Sequence, residues 1–290
     1  MRYNLDKRIG TALVLAIFGW MVHGQENTDV EIVEDVIYGH KDGMALIYDV
    51  FKPAQPNGTA IIYMVSYGWW SYWRPAEEHQ EMFQDYLDRN LTVFNVYHGS
   101  APKYKVPDAV SDVRRAVRHI RAHAEEYGVD DKKFVTWGYS AGGHLSLMLA
   151  LDSDSGDESS DDPIERVSNR IAAALAVFPP VDLTEHVGPD GDADTFPALD
   201  FEVELVKSVS PIFKVSEDDP PILLVHGDED GVVDIDHSER MRDALKKVGV
   251  PVHLEVIKGA GHGFYEDAYH EQFQEAVFKF LEDHEFVQKQ

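Results

Sequence analysis

The stretch Lys133-Phe134-Val135-Thr136-Trp137-Gly138-Tyr139-Ser140-Ala141-Gly142-Gly143-His144 decides how the rest of the chain is read. Lys133 to Trp137 has strand character, and the residues from about Gly142 to Leu151 read as a helix. The turn between them fits G-x-S-x-G, a weak pattern by itself in a chain holding 21 glycines. Between a strand and a helix, however, it describes a strained turn that lifts the Ser140 hydroxyl above the sheet edge. Glycine is needed at 138 and 142 because a Cβ there would collide with the neighbouring strand and helix. The first N–H groups of the new helix face the same spot and favour negative charge there.

Upstream, Val30 to Tyr38 and Met44 to Phe51 read as an antiparallel hairpin around His40-Lys41-Asp42-Gly43. Strands at Ala60 to Val65 and Leu91 to Tyr97 then alternate with helices at Glu77 to Leu87 and Asp108 to Glu126. Val110, Val113, Val117 and Ile120 line one face of the second helix. Downstream, strands are expected at Ile171 to Phe178, Ile222 to Val225 and Val252 to Ile257. Helices at Ser238 to Lys247 and Glu271 to Leu281 accompany the last two. Repeated βα units with unbroken apolar strands predict an α/β domain, its mostly parallel eight-stranded sheet covered by helices on both faces. Thr184 to Asp219 breaks the rhythm. It is too short for a second domain and reads as a small cap over a site.

The 290 residues include 26 Lys+Arg against 52 Asp+Glu, a net charge of −26, and no cysteine. That excludes a disulfide scaffold, a thiolate metal site and a cysteine nucleophile. So acidic a surface repels phosphate backbones and anionic lipid, so neither nucleic acid nor membrane is an expected partner. Arg2, Lys7 and Arg8 precede an apolar run from Ile9 to Val22, and Val22-His23-Gly24 supplies a cleavage site. This reads as a secretory signal peptide over residues 1–24. The run falls short of the roughly 20 residues of a spanning helix. Removing the three basic residues and one acidic residue it holds leaves a domain of 266 residues, 25–290, at −28. The expected destination is the periplasm or the exterior.

A serine hydroxyl is a poor nucleophile until a base takes its proton, and that base needs an orienting group. Among 14 histidines, His262 follows a strand within the glycine-rich turn Gly259-Ala260-Gly261-His262-Gly263-Phe264. A histidine so placed can swing its ring over a neighbouring strand end. The orienting acid is expected in His226-Gly227-Asp228-Glu229-Asp230, where three acids compete.

On these motifs the chain resembles the α/β-hydrolases, and more closely the exported bacterial carboxylesterases typified by feruloyl and acetylxylan esterases. The resemblance runs from about Ile32 to Phe280. It rests on Gly138 to Leu145, on Ser210-Pro211-Ile212 with Pro220 to Gly227, and on Gly261-His262-Gly263-Phe264. It implies an enzyme without cofactor or metal that cleaves carboxylic esters by acyl transfer. It also implies that Asp230, fifth residue of H-G-x-x-D, is the acid of a Ser140, Asp230, His262 triad. Two rivals stand beside this reading. One is an amide-cleaving serine hydrolase of the peptidase or arylformamidase kind; the other is a non-catalytic binding protein on the same fold.

The chain departs from the family in one loop. Relatives carry H-G-G-G-W where this sequence has Val65-Ser66-Tyr67-Gly68-Trp69. The oxyanion hole uses backbone amides, so Tyr67, Gly68 and Ala141 are the implied donors, with strain expected at Tyr67 if its φ is positive. Trp69, Trp70, Tyr72 and Trp73 follow, either as a wall for an aromatic or sugar-bearing substrate or as packing for the loop. Three weaker signals read as structural. Asp152 to Asp162 lacks the glycine position and closing glutamate of a calcium loop and reads as a solvated acidic loop. His119 and His123 have zinc-ligand spacing without the accompanying glutamate and read as a solvated face. His226 reads as a satisfied structural residue.

Overall fold

A computed structural model describes residues 30–264 and 266–289; the expected signal segment, 1–24, lies outside them. The chain opens with β1 (Val30–Lys41) and β2 (Met44–Pro53), paired antiparallel. Asp42 and Gly43 turn between them at φ 49° and 80°, the left-handed pair that a two-residue hairpin requires. There follow β3 (Gly58–Val65), α1 (Glu77–Leu87), β4 (Thr92–Tyr97), α2 (Val106–Ala122), β5 (Val129–Tyr139) and α3 (Ala141–Leu151). The chain closes with β6 (Ala173–Val177), β7 (Ile222–Gly227), α4 (Asp236–Val248), β8 (Val252–Ile257) and α5 (Asp267–Asp283). The eight strands lie in the order β1-β2-β4-β3-β5-β6-β7-β8, parallel from β4 to β8. No helix of the described residues is long and apolar enough to cross a membrane.

Alternation along the strands sorts the core into two layers. Ile62 and Met64 of β3 face Val113, Val117 and Ile120 of α2 and Leu145 and Met148 of α3. Ile61, Tyr63 and Val65 face the other way, onto Phe83 and Tyr86 of α1 and Phe273 and Val277 of α5. Helix α3 is buried along its whole length, which is why its sequence shows no polar face. Between β6 and β7 the chain makes three short 3₁₀ turns, Pro197–Leu199, Val203–Val209 and Pro211–Phe213, forming the expected small cap. Ala198, Leu199, Val206 and Val209 dock it on the α2–α3 side.

Two surface expectations are corrected. The acidic loop after α3 is not simply solvated, because arginines of α2 pin it. Arg114 bonds Asp152, Arg118 reaches Asp154 at 2.7 Å, and Arg115 reaches Asp162 and Glu165 at 2.7 and 2.6 Å. Those arginines project from the polar flank of α2, so the acids are their counter-charges. His119 and His123 also differ from expectation. Their rings stack at 4.3 Å and are half-buried, and His119 Nδ1 lies 3.0 Å from the Tyr48 hydroxyl of β2. No cluster of metal-ligating side chains occurs among the described residues.

Candidate active site

Ser140 sits where β5 turns into α3, at φ 52° and ψ −118°, a conformation that side chains rarely adopt. The turn holds because its neighbours leave no alternative. A Cβ on Gly138 would stand 2.3 Å from the Gly142 carbonyl carbon, and one on Gly142 would stand 2.8 Å from Met64 O. Ser140 N–H donates to Val177 O at 2.8 Å, tying the elbow to β6. Gly138→Ala is expected to destabilise the fold by at least about 1–3 kcal/mol, since backbone rather than a flexible side chain must give way. A thermal melt matching wild type would contradict this.

The histidine expected as base and the acid expected to orient it meet where two loops cross. Gly227 lies so close to the other loop that a Cβ would be 2.2 Å from Ala260 O, and Glu229 N–H donates to Ala260 O at 3.0 Å. This contact brings Asp230 beneath His262, whose Nδ1 lies 2.7 Å from Asp230 Oδ2. The other carboxylate oxygen accepts the amides of Val232 and Val233 at 2.8 and 3.0 Å. Burial alone would raise the Asp230 carboxyl. The hydrogen bonds from His226, His262, Val232 and Val233 outweigh it and hold the group well below the usual carboxylate range. Asp228 instead accepts the Gly259 amide at 2.6 Å, and Glu229 is exposed, so neither faces His262. The His262 ring rests on Phe178 at 4.3 Å between centroids. Between Ser140 and His262 no hydrogen bond is formed among the described residues, as is common in ligand-free sites whose contacts tighten on binding.

His226 is buried and satisfied, as expected. It also has a closer relation to the site than its position suggested. Its Nδ1 lies 2.7 Å from Ser238 Oγ, and its Nε2 lies 2.9 Å from Val233 O and 3.4 Å from Asp230 Oδ2. Two carbonyl-type acceptors on one side put the ring proton on Nε2, so His226 braces the acid from behind.

The loop after β3 corrects the reading of the oxyanion donors. Tyr67 N–H is donated to Trp70 O at 2.9 Å, so it is taken up within the loop. The left-handed residues are Gly68 (φ 57°) and Trp69 (φ 60°), not Tyr67, so the strain expected at Tyr67 is absent. Gly68 lines the same cavity as Ser140, and Ala141 follows Ser140 as the first residue of α3. Three contacts replace the missing glycines as supports. Ser66 Oγ lies 2.9 Å from His98 Nε2, Trp69 Nε1–H donates to His144 Nδ1 at 3.3 Å, and Ala101 N–H donates to Trp69 O at 3.1 Å. His98 and His144 are set in single tautomers by Gly99 O and Val209 O, at 2.9 and 2.7 Å from their other nitrogens. Sequence reasoning missed both, since nothing in a lone buried histidine marks its partner.

Burial lowers each of these two imidazoles to about 4, against the pull of its carbonyl partner. The unfolded chain, with histidines near about 6.5, binds protons that the folded chain refuses. Their contribution to stability is therefore complete above that value and is lost as pH falls from there towards about 4. The urea midpoint is expected to decline between about pH 7 and pH 5, and less steeply in His144→Leu. An equally steep decline in that variant would refute the assignment.

Of the aromatic run, only Trp69 lines the cavity of about 610 Å³ beside Ser140. Phe196 and Leu199 of the cap face it there. Trp70 stacks on Tyr72 at 5.9 Å, and Trp73 donates its indole N–H to Asp35 on β1 at 3.0 Å. Neither Trp70 nor Trp73 lines that cavity.

Comparison with known proteins agrees with this geometry. The BD-FAE family model matches residues 48–245, more than half of the chain and the span from β2 through most of α4. The chain belongs to the BD-FAE family. It has the α/β-hydrolase fold, and a second model, TAP-like protein, matches residues 203–288 of this BD-FAE member. Esterase LipC of Mycobacterium tuberculosis is 26% identical over 249 residues, 79% of this chain and 59% of LipC. The probable carboxylic ester hydrolase LipM of the same organism is 25% identical over 226 residues, 74% of this chain and 52% of LipM. The chain thus spans little more than half the length of these curated relatives. The thermophilic esterase Est2 of Thermogutta terrifontis superposes with TM-score 0.75 at 26% identity, covering 91% of this chain and 96% of Est2. That esterase phosphoramylated by tabun matches with TM-score 0.74, again at 26% identity, over 93% of this chain and 100% of the other.

Proposed function

We propose that this protein is a serine carboxylesterase working through an acyl-enzyme, with Ser140, His262 and Asp230 as its catalytic residues. The observation that carries the reading is the strained elbow at Ser140 together with the His262–Asp230 contact of 2.7 Å. Ser140 Oγ attacks the ester carbonyl while His262 Nε2 takes its proton. Asp230 keeps the other ring proton on Nδ1 and stabilises the imidazolium. Charge on the former carbonyl oxygen is met by the Gly68 and Ala141 amides, reinforced by the start of α3. His262 returns the proton to the departing alcohol, and the same base then activates water to release the acid. The organophosphate adduct of the Thermogutta terrifontis esterase supports a serine nucleophile on this fold.

The cavity and one relative support a substrate class. Endo-1,4-beta-xylanase B of Butyrivibrio fibrisolvens, named for a polysaccharide, is 29% identical over 164 residues, 57% of this chain and 25% of that enzyme. The same cavity is lined by Asp182, His186, His237 and Arg240 as well as Trp69, and this with the xylanase likeness supports esters whose alcohol is a carbohydrate. The test is hydrolysis of p-nitrophenyl acetate together with labelling by paraoxon. Peptide mass mapping is expected to find one phosphoryl adduct, on Ser140; an active protein labelled elsewhere would overturn the assignment. We also propose export, with cleavage after Gly24. The secreted product is expected to begin at Gln25, and an intact N-terminus in a membrane fraction would contradict it.

A further inference from the structure

The cavity that Ser140 opens into carries two imidazoles that the acyl-transfer steps do not use. His237 lies in the first turn of α4 and His186 in the cap, and both line that cavity. Val181 N–H donates to His237 Nδ1 at 3.1 Å. A backbone N–H can only donate, so Nδ1 is an acceptor and the ring carries its proton on Nε2. Burial keeps this ring neutral, lowering it to about 4, with the Arg240 guanidinium acting in the same direction. His186 has the opposite arrangement. Its Nδ1 lies 2.6 Å from Asp192 Oδ2, and a carboxylate accepts, so Nδ1 carries a proton and, in that tautomer, Nε2 is an acceptor. Neither Nε2 has a hydrogen-bond partner among the described residues.

The two rings stand 6.1 Å apart between centroids, tilted by 32°. One offers a donor and the other an acceptor, and a hydroxyl group needs both at once. Arg240, which lines the same cavity, is paired with Asp182 at 3.2 Å and Asp236 at 2.8 Å. From this complementarity we infer that His186 and His237 form a hydroxyl-binding subsite that selects esters of polyhydroxylated alcohols. The inference rests on the esterase reading for its link to turnover, but the subsite itself is a matter of binding.

The test compares kcat/KM for a monoacetylated methyl xyloside with that for p-nitrophenyl acetate, whose alcohol has no free hydroxyl. In His237→Phe the ratio of the two is expected to fall about tenfold, the usual effect of losing one hydrogen bond to substrate. In His237→Gln, which restores an N–H donor near the Nε2 position, the ratio should recover most of that loss. A ratio unchanged in His237→Phe would overturn the inference even in a fully active esterase. If wild type hydrolyses neither substrate, the esterase reading is at fault, and the subsite is judged by saturation-transfer NMR with xylotriose. Signal in wild type that is lost in His237→Phe supports it. Equal signal in both, or none in wild type, overturns it.

Discussion

Ser140→Ala is expected to abolish ester hydrolysis while leaving the fold as it is. The serine makes its structural contribution through its backbone, in the amide bond to Val177 O and the unusual φ and ψ, and alanine at 140 inherits both. Among the described residues no side-chain hydrogen bond depends on the hydroxyl. In the proposed mechanism the chemistry depends on it entirely. Members of such a unit act together, so loss of the nucleophile costs on the order of 10⁴–10⁶ in kcat. Residual turnover above a tenth of wild type, in a protein with an unchanged melt, would mean that another group attacks the ester. The same variant should take up no paraoxon.

Asp230→Asn should come close behind, at about 10⁴ in kcat, because an amide at this position favours the wrong His262 tautomer. The Val232 and Val233 amides can still be accepted by the asparagine carbonyl. That orientation points its NH₂ at His262 Nδ1 and His226 Nε2, where the carboxylate had accepted. His262 must then move its proton to Nε2 and loses the lone pair that receives the serine proton. Asp228→Asn is the control. Its carbonyl oxygen can keep the Gly259 amide, so activity should stay within a few-fold of wild type. The reverse ranking of the two variants would sink the choice of acid.

The elements were legible because each is written locally. The unbroken apolar run at Ala60 to Val65, the strand character of Lys133 to Trp137, and the 3.6-residue spacing of Val110, Val113, Val117 and Ile120 need no partner to be recognised. The elbow was legible in part for the same reason: Gly138 is demanded by its contact with Gly142, whereas Gly142 is demanded by Met64 of β3, across the sheet. The pattern His226-Gly227-x-x-Asp230 pointed to the acid through resemblance, but the residues themselves left Asp228 and Glu229 open. Only the crossing at Gly227 and Ala260 turns one of the three towards His262, a meeting across 32 positions of chain.

Where a polar group goes was decided by tertiary structure alone. Tyr67 N–H looked free for catalysis, yet a turn closing on Trp70 takes it up. The acidic loop looked solvated until Arg114, Arg115 and Arg118 met it from a helix more than thirty residues away. The protonated nitrogens of His98, His144, His186 and His237 are set by Gly99 O, Val209 O, Asp192 and Val181 N–H. Apolar burial is read from periodicity because any apolar neighbour satisfies it. A hydrogen bond needs one particular partner at about 3 Å, and which partner arrives depends on how the whole chain has packed.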